Sequence, residues 1–488
     1  MAKSFFGSTA TEEQYVANFY HVKKFGEDAF LVTTEHGSWA LLSKKEFELL
    51  RLGRVQANPA LFEELKKQGI ILTTENIENV ISDYRQKKSF LFRPPSLHII
   101  TPTLRCNLKC IYCHSRVCAD QEKGYDMDKE TAKKTVDFIM QTPLNELKIE
   151  FQGGDFLLNF EITEFIIDYA LEKAKEKGKK VNFAMVSNLT LMNEKILESL
   201  SKRKIMGLAT SLDGPKKVHD LNRRHLGGKG SYEDTVYWIK RIKSEWKYKF
   251  NLNALCTVTR HSFGHEKEIV DEYISLGFAG VWMRPLNNIG FAADAWQKIG
   301  YSPREFFSFW KKSFEYILEK NRAGENLIDY FALIFLKKIL QKEDPHMVDI
   351  MSPCGAGISQ LLYKYNGDIH TCDEGKIFSE FKLGNVRESK YEDIFRNETL
   401  IPMIDISSKK NYLCDNCAWD PYCGVCPIYS YAAQGSIVSI LPLDDRCKVY
   451  GKIIEEIFRK ILFSEEDRQV MLGWLESERL FKKEPESA

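Results

Sequence analysis

Twelve cysteines, ten of which fall in two groups, constrain this chain more than any other feature. The first group is Cys106, Cys110 and Cys113, and the second runs from Cys354 to Cys447. The chain begins MAKSFFGSTATEEQ, which lacks the apolar core of a secretory signal, so we expect a cytoplasmic protein. Disulfides are rare in that compartment, and binding of a metal or a metal cluster is therefore the expected role of these thiols.

Length and charge narrow the class of protein further. A chain of 488 residues exceeds the usual size of one domain, so we expect two or three domains. Its 69 basic and 68 acidic residues leave a formal charge of +1, which offers no global field for nucleic acid or an anionic membrane. No apolar run approaches the roughly 20 residues that span a bilayer. We therefore expect neither nucleic acid nor a membrane as a partner.

Residues 1–95 form the first predicted unit. Two short apolar stretches, Phe30–Thr34 and Ser38–Leu42, flank a turn and predict a hairpin. Ser43 with Glu46 makes a capping box for a first helix, and Asn58-Pro59 opens a second. This order resembles the winged-helix peptide-recognition element of many peptide-modifying enzymes. A structural cap without peptide-binding role fits the same pattern.

Residues 96–300 alternate short apolar runs with amphipathic helices, which predicts a parallel sheet curled as a full or partial (β/α)6 barrel of the α/β class. Ligands of such sheets bind at the carboxyl ends of the strands. A helical linker is predicted for 301–345, a cysteine-rich domain for 346–460, and a charged helix and tail for 461–488. The predicted strands are His98–Thr101, Lys148–Phe151, Val181–Val186, Leu208–Ser211, Asn253–Val258 and Val281–Met283.

The first cysteine group has the spacing C-x3-C-x2-C and follows the first predicted strand directly. A [4Fe–4S] cluster is commonly bound by four thiolates, so three from one loop leave one iron without a protein ligand. A zinc knuckle or three buried thiols is the alternative, although zinc usually pairs C-x2-C with a second pair or with histidines. The motif resembles that of the radical S-adenosylmethionine (SAM) superfamily. The resemblance implies that SAM chelates the open iron and yields a 5′-deoxyadenosyl radical that removes hydrogen from the substrate.

Further segments at the ends of predicted strands resemble SAM-binding segments of this superfamily. Gln152-Gly153-Gly154-Asp155 stands where relatives carry Gly-Gly-Glu-Pro, with aspartate in place of the glutamate that holds the SAM amino group. A plain turn is the alternative for the glycines, and a plain loop aromatic is the alternative for the residue before Cys113. The SAM-binding set that the resemblance implies is Tyr112, Gly153, Gly154, Asp155, Asn188, Ser211, Asp213 and Arg223.

The second cysteine group resembles the SPASM domain of radical SAM maturases, which implies two auxiliary [4Fe–4S] clusters. Carried over by order, Cys414, Cys417, Cys423 and Cys447 complete one cluster. The other would be bound by Cys354, Cys372 and Cys426, with one ligand missing. His346, Asp349 or a substrate thiolate could fill that position, and a zinc ribbon is the alternative for the whole group. Asp373, directly after Cys372, stands where sulfatase maturases carry a proposed base; an ordinary turn aspartate is the other interpretation.

Together these segments resemble a radical SAM/SPASM peptide maturase, most closely the B-type maturase of His-Xaa-Ser peptide systems. The resemblance implies oxidative crosslinking of a ribosomally synthesised precursor peptide, with a flavodoxin- or ferredoxin-type protein as reductant. An anaerobic sulfatase maturase, which forms formylglycine, is a second interpretation. A non-enzymatic iron–sulfur or zinc-binding module is a third, and it predicts no cleavage of SAM.

Overall fold

The computed structural model describes residues 14–203, 205, 207–348, 350–408, 412–439 and 444–483. In this part of the chain a ten-stranded sheet forms the centre, with eight neighbouring strands parallel and the last two antiparallel. The six predicted barrel strands are confirmed, each within two residues at either end. In spatial order the strands are Ile328–Asp329, Gly280–Arg284, Asn251–Thr257, Gly207–Ser211, Lys180–Val186, Glu146–Phe151, Leu97–Ile100, Gln360–Tyr363, Asp368–His370 and Lys382–Asn385.

Helices cover the outer face of this sheet. Asp128 and Asn193 cap two of them by accepting a backbone N–H in the first turn. The barrel helices are Lys129–Ile139, Phe160–Glu176, Glu194–Lys202, Lys216–Asn222, Tyr232–Glu245, Glu266–Ser275 and Phe291–Ile299.

The two faces of the sheet differ in burial. On strand Asn251–Thr257 the side chains of Leu252, Ala254 and Cys256 are buried, while their neighbours in the strand are partly or fully exposed. Parallel sheets are usually covered on both faces. Here the concave face stays accessible, which leaves room for ligands at the open end of the barrel.

The sheet extends beyond the segment in which its strands were predicted. Ile328–Asp329, in the predicted linker, adds a parallel strand at one edge, and Gln360–Tyr363, in the cysteine-rich region, adds another beside the first barrel strand. The predicted helical segment is confirmed as helix Pro303–Arg322, which Ser302 caps, and Tyr330–Leu336 follows the added strand. The barrel and the cysteine-rich region therefore share one sheet.

The N-terminal unit is a three-stranded antiparallel sheet followed by three helices. Its hairpin and its Ser43–Glu46 capping box are confirmed, but strand Tyr20–Lys24 and helix Ile77–Lys87 were not predicted. The unit packs on the second cysteine region, where the Thr33 hydroxyl donates to the Ala418 carbonyl at 2.9 Å. Its elements are Val16–Ala17, Tyr20–Lys24, Ala29–Thr34, Trp39–Ser43, Lys44–Arg51, Pro59–Lys67, Ile71–Leu72 and Ile77–Lys87.

Two helices, Asp445–Phe463 and Glu465–Lys483, end the described chain. The second is the predicted charged helix, yet it is more than a surface element because Met471 and Trp474 are buried in the main core. The predicted tail at 484–488 lies outside the described residues. Shorter helices in the cysteine-rich region are Leu400–Ser407, Tyr412–Asp415 and Pro427–Gln434. Among the described residues, no helix is both long enough and apolar enough to cross a membrane.

Candidate active site and cluster-binding cysteines

The first cysteine loop lies at the carboxyl end of the first barrel strand. Cys106 and Cys110 are buried and Cys113 is half-buried. The backbone N–H groups of Lys109 and Ile111 donate to carbonyl groups at the end of helix Lys216–Asn222, at 2.7 and 2.9 Å. The loop is therefore held against the far side of the barrel, with its thiols at the open end.

Burial and neighbouring charge raise the pKa of two of these thiols. Desolvation, with the Asp155 carboxylate nearby, raises the pKa of Cys106 well above its usual value. Desolvation raises the pKa of Cys110 to about 11, although the Arg223 guanidinium opposes the shift. Thiols in this state bind metal only by releasing their protons. The backbone N–H of Leu108 already points at the Cys106 sulfur, 3.4 Å away, as a donor to a thiolate would.

The spacing of the cysteine sulfurs bears on the zinc alternative. With Zn–S distances of about 2.3 Å, the sulfurs of a tetrahedral site lie about 3.8 Å apart. Across the described ranges, no three of the cysteines have sulfurs within 4.8 Å of one another. The described thiols are therefore not arranged as a preformed tetrahedral zinc site.

Gly153 and Gly154 bring the end of the second barrel strand against the segment that leads into the cysteine loop. Gly153 has φ +125°, and a Cβ on Gly154 would lie 2.0 Å from the Arg105 carbonyl oxygen. The Gly154 N–H donates to Thr103 and the Asp155 N–H to Arg105, both at 2.9 Å. The glycines are therefore required by this close backbone approach. Their contact with SAM stays a prediction.

The Asp155 carboxylate is engaged by the protein itself. It accepts hydrogen bonds from the Ser187 hydroxyl at 2.9 Å, the Asn188 N–H at 2.9 Å and the Leu157 N–H at 3.1 Å. Burial raises its pKa, which these donors oppose. Asp155 thus braces the loop after the third barrel strand, while the Asn188 side chain amide lies 3.7 Å from the Cys106 sulfur.

Tyr112, Asp213 and Arg223 form one hydrogen-bonded group beside the cysteine loop. The Tyr112 hydroxyl donates to the Asp213 carboxylate at 2.8 Å and accepts from Arg223 Nη1 at 3.0 Å. Asp213 also accepts from Asn222 and from the Thr257 N–H, each at 3.1 Å. Desolvation raises the pKa of Asp213, and Arg223 opposes that shift.

Arg223 offers a donor for a bound anion. It is 7% exposed, and within the described ranges its Nε has no hydrogen-bond partner. A buried donor in this condition carries a desolvation cost that an incoming carboxylate would relieve. Ser211, half-buried at the end of its strand, lies on the accessible concave face. The residues present therefore fit the carboxylate of SAM, and the individual contacts stay predictions.

The second cysteine group separates into two sets. Cys354, Cys372 and Cys426 are buried in one apolar cluster together with Met403 and Tyr429. The thiol of Cys426 hydrogen-bonds with that of Cys354 and, with burial, raises the pKa of Cys354. Backbone N–H groups point at two of the sulfurs at 3.4 Å: Gly375 at Cys372 and Tyr429 at Cys426. The three cysteines predicted to bind the auxiliary cluster with a missing ligand are thus brought together.

The other set includes Cys447, at the start of helix Asp445–Phe463. Cys447 sits in its first turn, where its N–H donates to the Asp444 cap at 3.1 Å. Desolvation, with contributions from Asp444 and then Cys417, raises the pKa of Cys447 to about 11, which places Cys417 nearby. Cys417 and Cys423 pack on the main core rather than on the cluster that holds Cys354. The structure therefore keeps this set apart from the first.

Two residues of this chain, besides a substrate thiolate, were predicted as candidates for the missing ligand. The His346 ring packs edge-on against Phe90, with ring centroids 5.8 Å apart, and its backbone N–H donates to Asp344. This environment offers His346 no described contact with a cysteine. Asp349 lies outside the described residues.

Asp373, the predicted base, lies at the junction between the two cysteine regions. Its carboxylate is 3.6 Å from Nε2 of His114, the residue that follows Cys113. Desolvation, reinforced by the Lys376 ammonium, lowers the pKa of His114 to about 3, so the imidazole is neutral near pH 7. The Lys376 Nζ lies 3.5 Å from the same ring nitrogen. Asp373 therefore faces the open end of the barrel.

Sequence analysis missed His114, Glu374 and Lys376. Lys376 is almost fully buried, and Glu374 accepts hydrogen bonds from three side chains. The signal that could have found them is their position within a few residues of Cys113 or Cys372. Buried charges beside cluster cysteines need partners, but which partners they have depends on distant segments.

Two family models match the chain. Residues 100–268 match the radical SAM superfamily, and residues 354–418 match SPASM, an iron–sulfur cluster-binding domain.

Curated relatives include two kinds of enzyme system. The chain is 26% identical to the cysteine-type anaerobic sulfatase-maturating enzyme of Clostridium perfringens, over 76% of this chain and 98% of that enzyme. It is also 26% identical to the antilisterial bacteriocin subtilosin biosynthesis protein AlbA of Bacillus subtilis, over 66% of this chain and 65% of that protein.

Solved structures share the fold. Native anSMEcpe with bound AdoMet gives a TM-score of 0.65 at 21% identity, covering 78% of this chain and 100% of that one. Streptococcus suis SuiB bound to precursor peptide SuiA gives 0.52 at 16% identity, covering 89% and 100%. The predicted α/β fold with a C-terminal SPASM domain is thereby confirmed. The chain thus combines a radical SAM domain with a SPASM domain, and it is an enzyme that uses SAM, a [4Fe–4S] cluster and auxiliary iron–sulfur clusters.

Proposed function

We propose that this enzyme installs an oxidative modification, such as a thioether or a C–C or C–O crosslink, on a ribosomally synthesised precursor peptide. The observation that carries the proposal is the position of Asp373 between the first cysteine loop and the cysteine set of Cys354, Cys372 and Cys426. A carboxylate there can receive a proton from a substrate held between the two regions.

When bound to the reduced cluster, SAM supplies a 5′-deoxyadenosyl radical that removes one hydrogen atom from the substrate. We assign the next proton to Asp373, whose carboxylate accepts it while the substrate loses one electron to the auxiliary cluster domain. Together these losses amount to two hydrogen atoms. The accessible concave face of the barrel would hold the target C–H bond in position beside the radical source.

The N-terminal unit supports a peptide as substrate. It forms an open cleft of about 350 Å³ between helices Pro59–Lys67 and Ile77–Lys87, lined by both acidic and basic side chains. Its sheet has two edge strands, Tyr20–Lys24 and Trp39–Ser43, and an extended peptide can add to such an edge. SuiB, which shares the fold, binds a precursor peptide. We assign peptide recognition to this unit.

Within peptide maturases we propose the B-type class of His-Xaa-Ser systems. The segments 151–154, 188–191 and 352–357 carry that resemblance. A flavodoxin- or ferredoxin-type protein is the proposed reductant, because the enzyme needs a low-potential electron to begin each turnover.

Formation of formylglycine on a sulfatase is the second candidate. It is favoured by the identity of 26% to a cysteine-type sulfatase-maturating enzyme across 98% of that relative. In that reaction Asp373 would have the same role as proton acceptor, because oxidation of a serine or cysteine side chain to an aldehyde also releases a proton.

The test is mass spectrometry of a cysteine-, serine- or histidine-rich peptide encoded beside the gene, after anaerobic incubation with enzyme, SAM and reductant. The crosslinking proposal predicts a product that has lost two hydrogen atoms and does not react with an aldehyde-specific hydrazide. A hydrazide-reactive product would instead establish formylglycine. If 5′-deoxyadenosine accumulates while the mass of the peptide stays unchanged, both candidate functions are wrong.

A further inference from the structure

Glu374 is a buried carboxylate on which three segments of the chain converge. Its side chain is 7% exposed. Oε1 accepts from Arg284 Nη2 at 2.7 Å and from the Asn287 side-chain amide. Oε2 accepts from Arg446 Nη2 at 3.2 Å. This carboxylate is thus held between two guanidinium groups and a side-chain amide, away from water.

Glu374 and its two arginine partners belong to three different parts of the active site. Arg284 is the last residue of strand Gly280–Arg284, so it marks the open end of the barrel. Arg446 directly precedes Cys447, in the first turn of the helix that presents that thiol. Glu374 itself lies two residues after Cys372. One carboxylate thus ties the barrel mouth to both sets of auxiliary cysteines.

The same carboxylate is close to a proposed cluster ligand. Oε2 lies 3.9 Å from the sulfur of Cys426. The next backbone N–H, that of Gly375, points at the Cys372 sulfur. The charge of Glu374 therefore acts on the cluster that these thiolates would hold, through a buried medium in which water screens little.

We propose that Glu374 is a positioning residue that docks the auxiliary cluster of Cys354, Cys372 and Cys426 on the barrel mouth and lowers the reduction potential of that cluster. The inference rests on the proposed ligand set. A negative charge beside the cluster disfavours the additional electron of the reduced state. Its removal therefore raises the potential.

Glu374→Gln tests the charge with almost unchanged shape. The variant is prepared in a background with alanine at Cys106, Cys110 and Cys113, so that only auxiliary clusters titrate. Because Oε2 lies 3.9 Å from the Cys426 sulfur, the charge is about 8 Å from the cluster centre, and with an effective dielectric constant of about 20 the equilibrium changes about thirtyfold. Potentiometric EPR titration should show about a thirtyfold higher ratio of reduced to oxidised cluster at fixed potential, or about 90 mV for one electron.

Glu456→Gln is the matched control. Glu456 is similarly buried and pairs with Lys311 at 2.8 Å, but it lies nine residues, or about 13 Å of helix rise, beyond Cys447. The Glu456→Gln variant should have lower thermal stability and an unchanged reduction potential of the cluster. Glu374→Asp keeps the charge and should keep the potential near that of the parent protein.

Two outcomes would overturn the inference. Equal reduction potentials in the parent protein and in both glutamine variants would show that Glu374 forms only a structural ion pair. Loss of about four iron atoms per chain and of one EPR signal in Glu374→Gln would make it a cluster ligand instead. Because the titration needs neither SAM nor peptide, its failure is distinguishable from failure of the proposed reaction.

Discussion

Tyr112→Phe removes a single hydroxyl from the group that anchors the first cysteine loop. That hydroxyl donates to Asp213 at 2.8 Å and accepts from Arg223 at 3.0 Å. Hydrogen bonds to charged groups contribute about 1.5–3 kcal/mol each, so the loss is about 3 kcal/mol at the lower end of the range. Since about 1.4 kcal/mol is a factor of ten, opening of the loop should become about 100-fold more frequent.

Amide hydrogen exchange measures this opening directly. The N–H groups of Lys109 and Ile111 donate to carbonyl groups at the end of helix Lys216–Asn222, and opening of the loop would break both hydrogen bonds. Their exchange should accelerate about 100-fold in Tyr112→Phe, and SAM should bind more weakly because Arg223 loses a fixed partner.

Tyr273→Phe is the matched control for this experiment. Its buried hydroxyl donates to a neutral acceptor, the Leu212 carbonyl, at 2.7 Å. A neutral hydrogen bond contributes about 0.5–1.5 kcal/mol, so this variant should leave the cysteine loop protected. Exchange at Lys109 and Ile111 within about threefold of the parent protein in Tyr112→Phe would refute the anchoring role.

Three further outcomes are expected. Alanine at Cys106, Cys110 and Cys113 should abolish formation of 5′-deoxyadenosine and remove about four iron atoms per chain, as measured by chromatography and iron analysis; intact cleavage would exclude the proposed loop. Asp373→Asn should still cleave SAM but give far less modified peptide. The same yield of modified peptide per SAM cleaved as in the parent enzyme would show that another group takes the proton. Burial raises the pKa of Asp329 to about 6 from 3.8. The folded state then holds this proton more tightly than the unfolded state, so stability falls as the pH rises through that window. Asp329→Asn should remove about 2 kcal/mol of the fall between pH 4 and pH 7, measured by urea unfolding, and an unchanged pH profile would contradict the assignment.

Local sequence patterns predicted the barrel well because each predicted element carries its own signal. The six barrel strands are short apolar runs, and helix Pro303–Arg322 has its cap in Ser302 and Glu305. Ile328–Asp329 and Gln360–Tyr363 were missed as sheet strands. A two-residue strand has no periodicity, and the pairing of Gln360–Tyr363 with the first barrel strand spans more than 250 residues.

The candidate site likewise has features that the sequence predicted and features that only the structure shows. The spacing C-x3-C-x2-C directly after a strand is a local pattern, so the sequence by itself predicted the position of the radical SAM loop and its three metal ligands. Asp155 was predicted to contact SAM, and only the fold reveals that Ser187 and Asn188 already donate to it.

Tertiary structure alone decided how charge is distributed around the cysteines. Glu374 meets Arg284 and Arg446 across separations of 90 and 72 residues. A buried charge is tolerated only where its partners converge, and convergence is a property of the folded chain. Residue types and spacing therefore determined which chemistry this protein can perform, whereas the packing of distant segments decided the electrostatic environment in which it is performed.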